Sequence, residues 1–568
     1  MPDLSALGKR WTQAAPTPEA LDLARSLDLH PQVASCLWQR DCRNPEQIRA
    51  FLDPRLQTLG DPFLLTDLRP AAERILRAIA ARERIVIFGD YDVDGITSSA
   101  LLWRVLRRLG AEVETFLPLR MEEGYGLSQD GVERCVEQHR PALLIAVDCG
   151  TTAVPQVAWL RQRGIDVLIV DHHALPPELP HANALVNPQR DPATRLDYLA
   201  SVGLVFKVCH GLLKLAGEGS RQVDLREYLD FVALGTVADI VPLIEENRVL
   251  VRRGLRQLEH TLWAGLRALV DVAQVTFPVT AQDVGFRLGP RLNASGRLGD
   301  AMLSLRLLQT DDRNEAIGIA AELNRNNRER QSVEMETFVQ AEAQLEENYD
   351  PACDWGIVLS GKNWHWGVIG IVASRLLRRY HRPTIVIGVN EDGIGKGSGR
   401  SIDGISIVQA LRDCSPHLEL FGGHDMAAGL NIRSDRIDAF RDAFNREVRR
   451  QAGQGNDVFQ STLALSGVVS MPEVNDDLYR QFEQLAPFGR HNPEPLFRFE
   501  PVLYTRPPQP FGKNHVKLFV RAERGEIEAI GFGLGQHDWT RPPQCLAGTL
   551  DWDDYRNRVQ IRISDWLR

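Results

Sequence analysis

The chain has 568 residues, 43% hydrophobic and 25% charged, which excludes a mostly disordered protein and predicts roughly three to five packed domains. A net charge of −9 excludes coating of nucleic acid by bulk charge, although a local basic channel stays compatible with it. Eight scattered cysteines with no CxxC pair exclude a disulfide framework or a zinc site and read as free thiols in a reducing compartment.

Residues 1–70 read as a helical preface, punctuated by Pro16, Pro18, Pro31, Pro54 and Pro62. The first residues lack the apolar core of a signal peptide, and no apolar run of about 18 residues occurs. A cytoplasmic protein with no membrane contact is therefore expected. From 71 to 243 strand and helix patterns alternate. Short runs rich in Val, Ile and Leu at 85–88, 113–117, 143–147 and 167–170 read as buried strands. Helices are expected over 98–109, 128–139 and 154–163. Gly110 and Gly164 stop the first and last of these. This alternation predicts an α/β lobe with a doubly wound parallel sheet.

Residues 244–300 read as mainly helical and end in the Gly- and Arg-rich stretch GPRLNASGRLGD, whose plain reading is a glycine-capped loop. A long polar helix over 311–348 is expected to bridge two lobes through solvent. A second α/β lobe follows, with strands at 355–359 and 384–389 and a helix at 368–380. After a polar linker, short alternating segments at 516–521, 527–532 and 559–563 predict a small, OB-like β-barrel. The expected boundaries are 1–70, 71–300, 301–350, 351–455 and 456–568.

Chemistry concentrates at strand ends in the first lobe, where open parallel sheets place their sites. Asp90, Asp92 and Asp94 follow residues 85–88 in FGDYDVDGIT. Asp148 follows 143–147. Asp171, His172 and His173 follow 167–170, and Asp239 lies in ALGTVADIVPL. One such Asp would read as a helix cap or turn former. Four acid-bearing ends in one sheet, one with two histidines, read instead as a divalent-metal site. Oxygen ligands with one or two imidazoles suit Mn²⁺ or Mg²⁺. Two ions held there would support displacement at phosphorus, and a histidine free of metal would steady or protonate the leaving oxygen.

In this order FGDYDVDGIT, VDCG, DHH and ALGTVADIVPL resemble the DHH phosphoesterase superfamily. GPRLNASGRLGDA, WHWGVIGIVASRL, GKGSGRS and GGHDMAAG are similar, within it, to the RecJ family of single-strand-specific DNA exonucleases. The resemblance covers nearly the whole chain, including the segment introduced by LAPFGRHNPEP. It implies a 5′→3′ exonuclease that releases mononucleotides from single-stranded DNA with Mn²⁺ or Mg²⁺, in DNA repair and recombination. It places metal ligands on Asp92, Asp94, Asp148, His172 and Asp239, with Asp90 and His173 as close partners. The second lobe resembles the DHHA1 domain. Implied partners are single-stranded DNA with a 5′ end, single-stranded-DNA-binding protein and a RecQ-type helicase.

Further candidates form a second tier. Arg120, with Ser398 and Arg400 in GKGSGRS, suits a phosphate, since a Gly-rich loop exposes backbone N–H groups and Arg grips bidentately. The resemblance assigns these positions to the 5′-phosphate. Tyr125 is a candidate for stacking on a base. Arg291, Asn293 and Arg297 are candidates for lining the groove, and His424 for a phosphate contact. Arg506, Lys513, Lys517 and Arg521, interleaved with Phe511 and Phe519, suit strand binding on the C-terminal domain. The competing readings are a phosphodiesterase for short oligoribonucleotides or cyclic dinucleotides, an inorganic pyrophosphatase and a non-catalytic DNA-binding scaffold.

Overall fold

The computed structural model describes residues 4–568 apart from 120–125, 221, 299, 454, 456 and 524. The first lobe is built on strands that are apolar because both their faces are covered. After an N-terminal strand β1 (Arg10–Gln13), β2 (Ile85–Gly89), β3 (Val113–Phe116), β4 (Leu143–Val147), β5 (Asp166–Val170) and β6 (Ala184–Val186) form one parallel sheet in the order β3-β2-β4-β5-β6. All residues of β2 and β4 are buried. The core on one face gathers Ile85, Ile87 and Leu143 with the helices Val93–Arg108 and Ser201–Ala216. On the other face Val86, Phe88 and Leu144 meet the helices Gln129–His139 and Val154–Gln162. The edge strand β6 has only three residues, too few for a periodicity to announce it.

The helix after β2 starts at Val93, five residues before its expected start. Asp92 is its N-cap, accepting the N–H groups of Asp94 (2.9 Å) and Gly95 (3.1 Å). The acidic motif is therefore the first turn of a helix. GPRLNASGRL is not a loop either: a π-turn at Val284–Leu288 runs directly into a helix at Gly289–Leu298.

The helix Arg313–Asn348 connects the lobes, at about 54 Å by helical rise. It is less solvent-bridging than expected, because Ile319 and Leu323 pack into the first lobe's core and Phe338, Ala341 and Leu345 into the second's. The second lobe holds β7 (Ile357–Lys362), β8 (Thr384–Val389), β9 (Ile394–Arg400), β10 (Leu420–Gly423) and β11 (Ala427–Arg433) in the order β10-β11-β9-β8-β7. GKGSGR is thus the central strand β9, not a loop, and its backbone groups are committed to ladders with β8 and β11. Gly395, Gly397 and Gly399 lie on its buried face, where a Cβ would strike Ile387, Leu430 and Ile407.

The C-terminal domain follows a short strand β12 (Thr462–Leu465). Strands β13 (Gly467–Ser470), β14 (Phe497–Glu500), β15 (Tyr504–Phe511), β16 (His515–Arg521), β17 (Glu526–Phe532), β18 (Cys545–Asp553) and β19 (Arg558–Leu567) form one mixed sheet in the order β13-β14-β18-β19-β17-β16-β15. The N-terminal segment is not an isolated helical preface. β1 pairs in parallel with β12, and Val33, Leu37 and Ile48 of its helices share a core with Val469, Phe497 and Phe499. Among the described residues no helix is long and apolar enough to cross a membrane.

Candidate metal centre

The carboxyl ends of β2, β4 and β5 and the end of the helix Leu229–Ala238 meet at one point. Three overlapping groups there have ligand atoms within 4.8 Å of one another: Asp90, Asp92 and Asp148; Asp94, His172 and Asp239; and Asp148, His172 and His173. Asp90, Asp92, Asp94, Asp148, His172, His173 and Asp239 are brought together as expected, but Asp239 follows a helix and not a fourth strand of the sheet, because the apolar stretch before it packs as a buried helix. His172 Nε2 stands at the centre, 3.5 Å from Asp148 Oδ1, 3.6 Å from Asp239 Oδ2 and 4.0 Å from Asp94 Oδ2.

Local structure explains each position. Asp94 receives the N–H groups of Ser201 (2.7 Å) and Val202 (2.9 Å), so its carboxylate caps the N-terminus of the helix Ser201–Ala216. Asp148 sits at φ +61, which turns the chain sharply off β4. Asp239 reaches the cluster because its helix passes very close to Asp94. At Gly235 a Cβ would lie 2.4 Å from Thr97 Oγ1 and 2.9 Å from Asp94 Oδ1.

Asp171 belongs to the site although the resemblance assigns it no role; its place as first of the Asp-His-His triplet is the signal that the strand-end reading used. Its buried carboxylate accepts the N–H groups of Thr151 (3.0 Å), His172 (2.8 Å) and His173 (3.2 Å) and pairs with His173 Nδ1 at 2.7 Å. Buried Asn187, which no sequence signal marks, donates to Thr151 Oγ1 (3.1 Å) and to the His173 carbonyl (2.9 Å). Together they fix the turn that aims both imidazoles.

The electrostatics show what the cluster lacks. Burial, then the charges of Asp239 and Asp92, push Asp94 well above the usual carboxylate range. Burial and four neighbouring carboxylates do the same to Asp148. Asp239 is pushed up to about 7 by burial and Asp92, against the opposing charges of His173 and Arg490. Burial, with His173 beside it, holds His172 down to about 4. Among the described residues Asp148 Oδ1 and Asp239 Oδ2 are buried without a hydrogen-bond donor. Carboxylates pressed together with orphaned oxygens and a neutral imidazole are the donor set of a hard divalent cation, so the residues fit Mn²⁺ or Mg²⁺.

The second tier divides. Arg120 and Tyr125 lie outside the described residues. Gly296 abuts the Tyr91 carbonyl, which sets the helix Gly289–Leu298 directly on the acidic motif. Arg297 on that helix donates to the Gly367 carbonyl at 2.9 Å, joining the lobes. Asn293 is half-buried on the same helix. Arg291 is spent on Asn324 Oδ1 (3.1 Å) and the Arg287 carbonyl (2.6 Å). Ser398 and Arg400 share one face of β9, bonded to each other at 3.1 Å. They pack on Gly370, in the first turn of the helix Ile369–Tyr380. In place of the expected flexible loop stands a strand that sets a serine and an arginine beside the N-terminus of a helix. His424 is exposed on the turn between β10 and β11, at the end of the sheet where Ala427 pairs with Arg400. Arg506 and Lys517 are paired with Glu526 and Glu528 on the C-terminal sheet.

A parallel-sheet lobe with an Asp-His-His centre, linked to a second α/β lobe and a C-terminal sheet domain, defines a DHH-type protein. Family models agree along the chain: DHH family, N-terminal domain over 84–236, DHHA1 domain over 355–450 and RecJ OB domain over 465–565. The chain is 35% identical over 566 residues to the single-stranded-DNA-specific exonuclease RecJ of Bacillus subtilis (strain 168), spanning 98% of this chain and 70% of that one. The crystal structure of Thermus thermophilus RecJ in complex with Mn²⁺ superposes with a TM-score of 0.83 at 30% identity, over 98% of this chain and 79% of that one. The Mg²⁺ complex of the same protein gives 0.77 at 30% identity, over 98% and 78%. The chain belongs to the RecJ family.

Proposed function

We propose that the protein is a metal-dependent exonuclease that degrades single-stranded DNA from its 5′ end to mononucleotides, in DNA repair and recombination. The observation that carries this reading is the convergence of Asp90, Asp92, Asp94, Asp148, His172, His173 and Asp239 on one point. Asp92, Asp94, Asp148, His172 and Asp239 would hold Mn²⁺ or Mg²⁺, two ions in this reading, with Asp90 and His173 beside them. A divalent cation so bound lowers the pKa of water and neutralises charge on the phosphate under attack.

The protein's own groups supply the rest. Asp94, held by two backbone N–H groups, stays fixed while charge moves. His173, oriented by Asp171, is placed to steady or protonate the leaving oxygen. Ser398, Arg400 and Arg120 bind a terminal 5′-phosphate, which admits ends and rejects internal sites. The domain organisation of this reading is 1–70, a DHH lobe at 71–300, a connecting helix, a DHHA1 lobe at 351–455 and an OB-like domain at 456–568. The third domain speaks against the oligoribonucleotide, cyclic-dinucleotide and pyrophosphatase alternatives, and the intact acids against a non-catalytic scaffold. A cytoplasmic protein working with single-stranded-DNA-binding protein and a RecQ-type helicase completes the proposal.

Single-stranded DNA labelled at either end, incubated with Mn²⁺ beside an Asp94→Ala variant, tests it. Label should leave first from the 5′ end, and the variant should be inactive. First release from the 3′ end would refute the polarity, and an active variant would refute the site.

A further inference from the structure

Residues 485–495, LAPFGRHNPEP, connect the short helix Asp476–Glu483 to β14. They are held more firmly than a connector requires. Buried Asn492 donates to the carbonyls of Leu485 (2.9 Å) and Pro487 (2.7 Å) and accepts from Arg40 Nε (2.5 Å). Arg248, from the first lobe, donates to the carbonyls of Leu485 (2.8 Å) and Gln484 (3.0 Å). Gly489 and Asn492 exchange both backbone hydrogen bonds, at 2.9 and 3.1 Å, and close a tight turn with Arg490 and His491 at its tip. His491 stands at φ +60 to complete it.

The turn is bonded to the loop of the metal lobe that follows Asp239. The Leu243 N–H donates to the Arg490 carbonyl at 2.9 Å, and Gly489 is packed against the Leu243 side chain. Arg490 is near enough for its charge to act on Asp239. Its side chain is nevertheless exposed and forms no hydrogen bond or ion pair among the described residues; the same holds for His491. Eight bonds therefore fix a turn whose exposed cation forms no hydrogen bond or ion pair among the described residues. A turn that served only to dock two domains would need the bonds and not the arginine. A planar guanidinium, pre-positioned beside a cluster built for a phosphodiester, matches a neighbouring phosphate.

Building on the exonuclease reading, we propose that Arg490 binds the DNA phosphate next to the one being cut, so that the C-terminal domain completes the substrate site of the metal lobe. Arg490 fixes the strand as it passes from the acids towards the C-terminal domain. His491, beside it, offers a second donor to the same backbone.

Fluorescence anisotropy with 5′-phosphorylated single-stranded DNA in EDTA, and steady-state cleavage with Mn²⁺, compare wild type with Arg490→Ala and Arg490→Lys. Arg490→Ala should weaken binding about tenfold, raise KM in step and lower kcat less. The slope of log affinity against log salt should fall by about 0.7, the share of one phosphate on a single strand. Arg490→Lys should recover the salt slope and part of the affinity. An unchanged melting temperature would accompany these effects, since the side chain forms no hydrogen bond or ion pair among the described residues. Unchanged affinity and salt slope in Arg490→Ala would overturn the role while leaving the exonuclease reading intact. A wild-type protein that neither binds nor degrades single strands would overturn both.

Discussion

Asp171 determines how the two histidines face the acids, although it lies outside the three groups of potential ligands. It gathers three backbone N–H groups and the His173 ring on one buried carboxylate. These bonds outweigh burial and hold it well below the usual carboxylate range. Its amide would lose the charge that orients His173 and offer a donor where three donors already point. Partners of this kind typically tune metal affinity 10–100-fold. Asp171→Asn should accordingly weaken Mn²⁺ binding by about that range, read by calorimetric titration, while the fold survives. Equal affinity in the two proteins would reduce Asp171 to a structural turn residue. The triplet itself was legible, because a polar cluster after a buried apolar run has few structural uses. The division of labour inside it was not, since that depends on which carboxylate oxygen meets which N–H.

Among the elements, the helix Leu229–Ala238 carries Asp239 into the site, and its closeness to the helix Val93–Arg108 sets the separation of Asp239 from Asp94. Gly235 permits that approach: its hydrogen faces Thr97 Oγ1, Val202 Cγ1 and Asp94 Oδ1, all under 3.0 Å from where a Cβ would be. Gly235→Ala must push the two helices apart or tilt Asp94. The expected cost is about 1–3 kcal/mol of stability, seen as a lower melting temperature. Cleavage of labelled single strands should fall further than the melting temperature explains, because both displaced helices carry acids of the candidate metal centre. Normal cleavage at a lowered melting temperature would show that the helices recover their spacing. β9 teaches the converse. Its glycines suggested a flexible loop, yet they are there because the buried face of a central strand has no room for side chains beneath Ile387 and Leu430. The alternate residues Ser398 and Arg400 are thereby held on the opposite, half-buried face.

Over the whole molecule, the N-terminal segment, the metal lobe and the C-terminal domain are tied at one junction. Arg248 is buried on the helix Glu245–Glu259. It donates to the carbonyls of Phe51, Leu485 and Gln484 at 2.8–3.0 Å and lies over the Phe51 ring. Removing it takes a donor from three carbonyls in two distant parts of the chain, of which those of Leu485 and Gln484 keep Asn492 and Arg252. Arg248→Ala should cost about 1–3 kcal/mol and uncouple the C-terminal domain from the first lobe. Limited proteolysis should then release a C-terminal fragment that wild type retains. Identical cleavage patterns would show that β1 pairing with β12 and the shared core suffice to hold the domains together.

The sequence by itself determined the parallel-sheet lobe, the acids and histidines at its strand ends, the bridging helix and the second lobe. Unbroken apolar runs and polar punctuation are local signals, and local signals survive in one dimension. The tertiary structure alone decided that FGDYDVDGIT is a helix start, that GKGSGR is a central strand and that Val33 and Leu37 belong to the C-terminal core. It also bonded Arg490 to Leu243, in the loop that follows Asp239, across about 250 residues of chain. Each of these depends on what packs against the segment from elsewhere, and close approach between distant parts of a chain leaves no periodicity in the sequence.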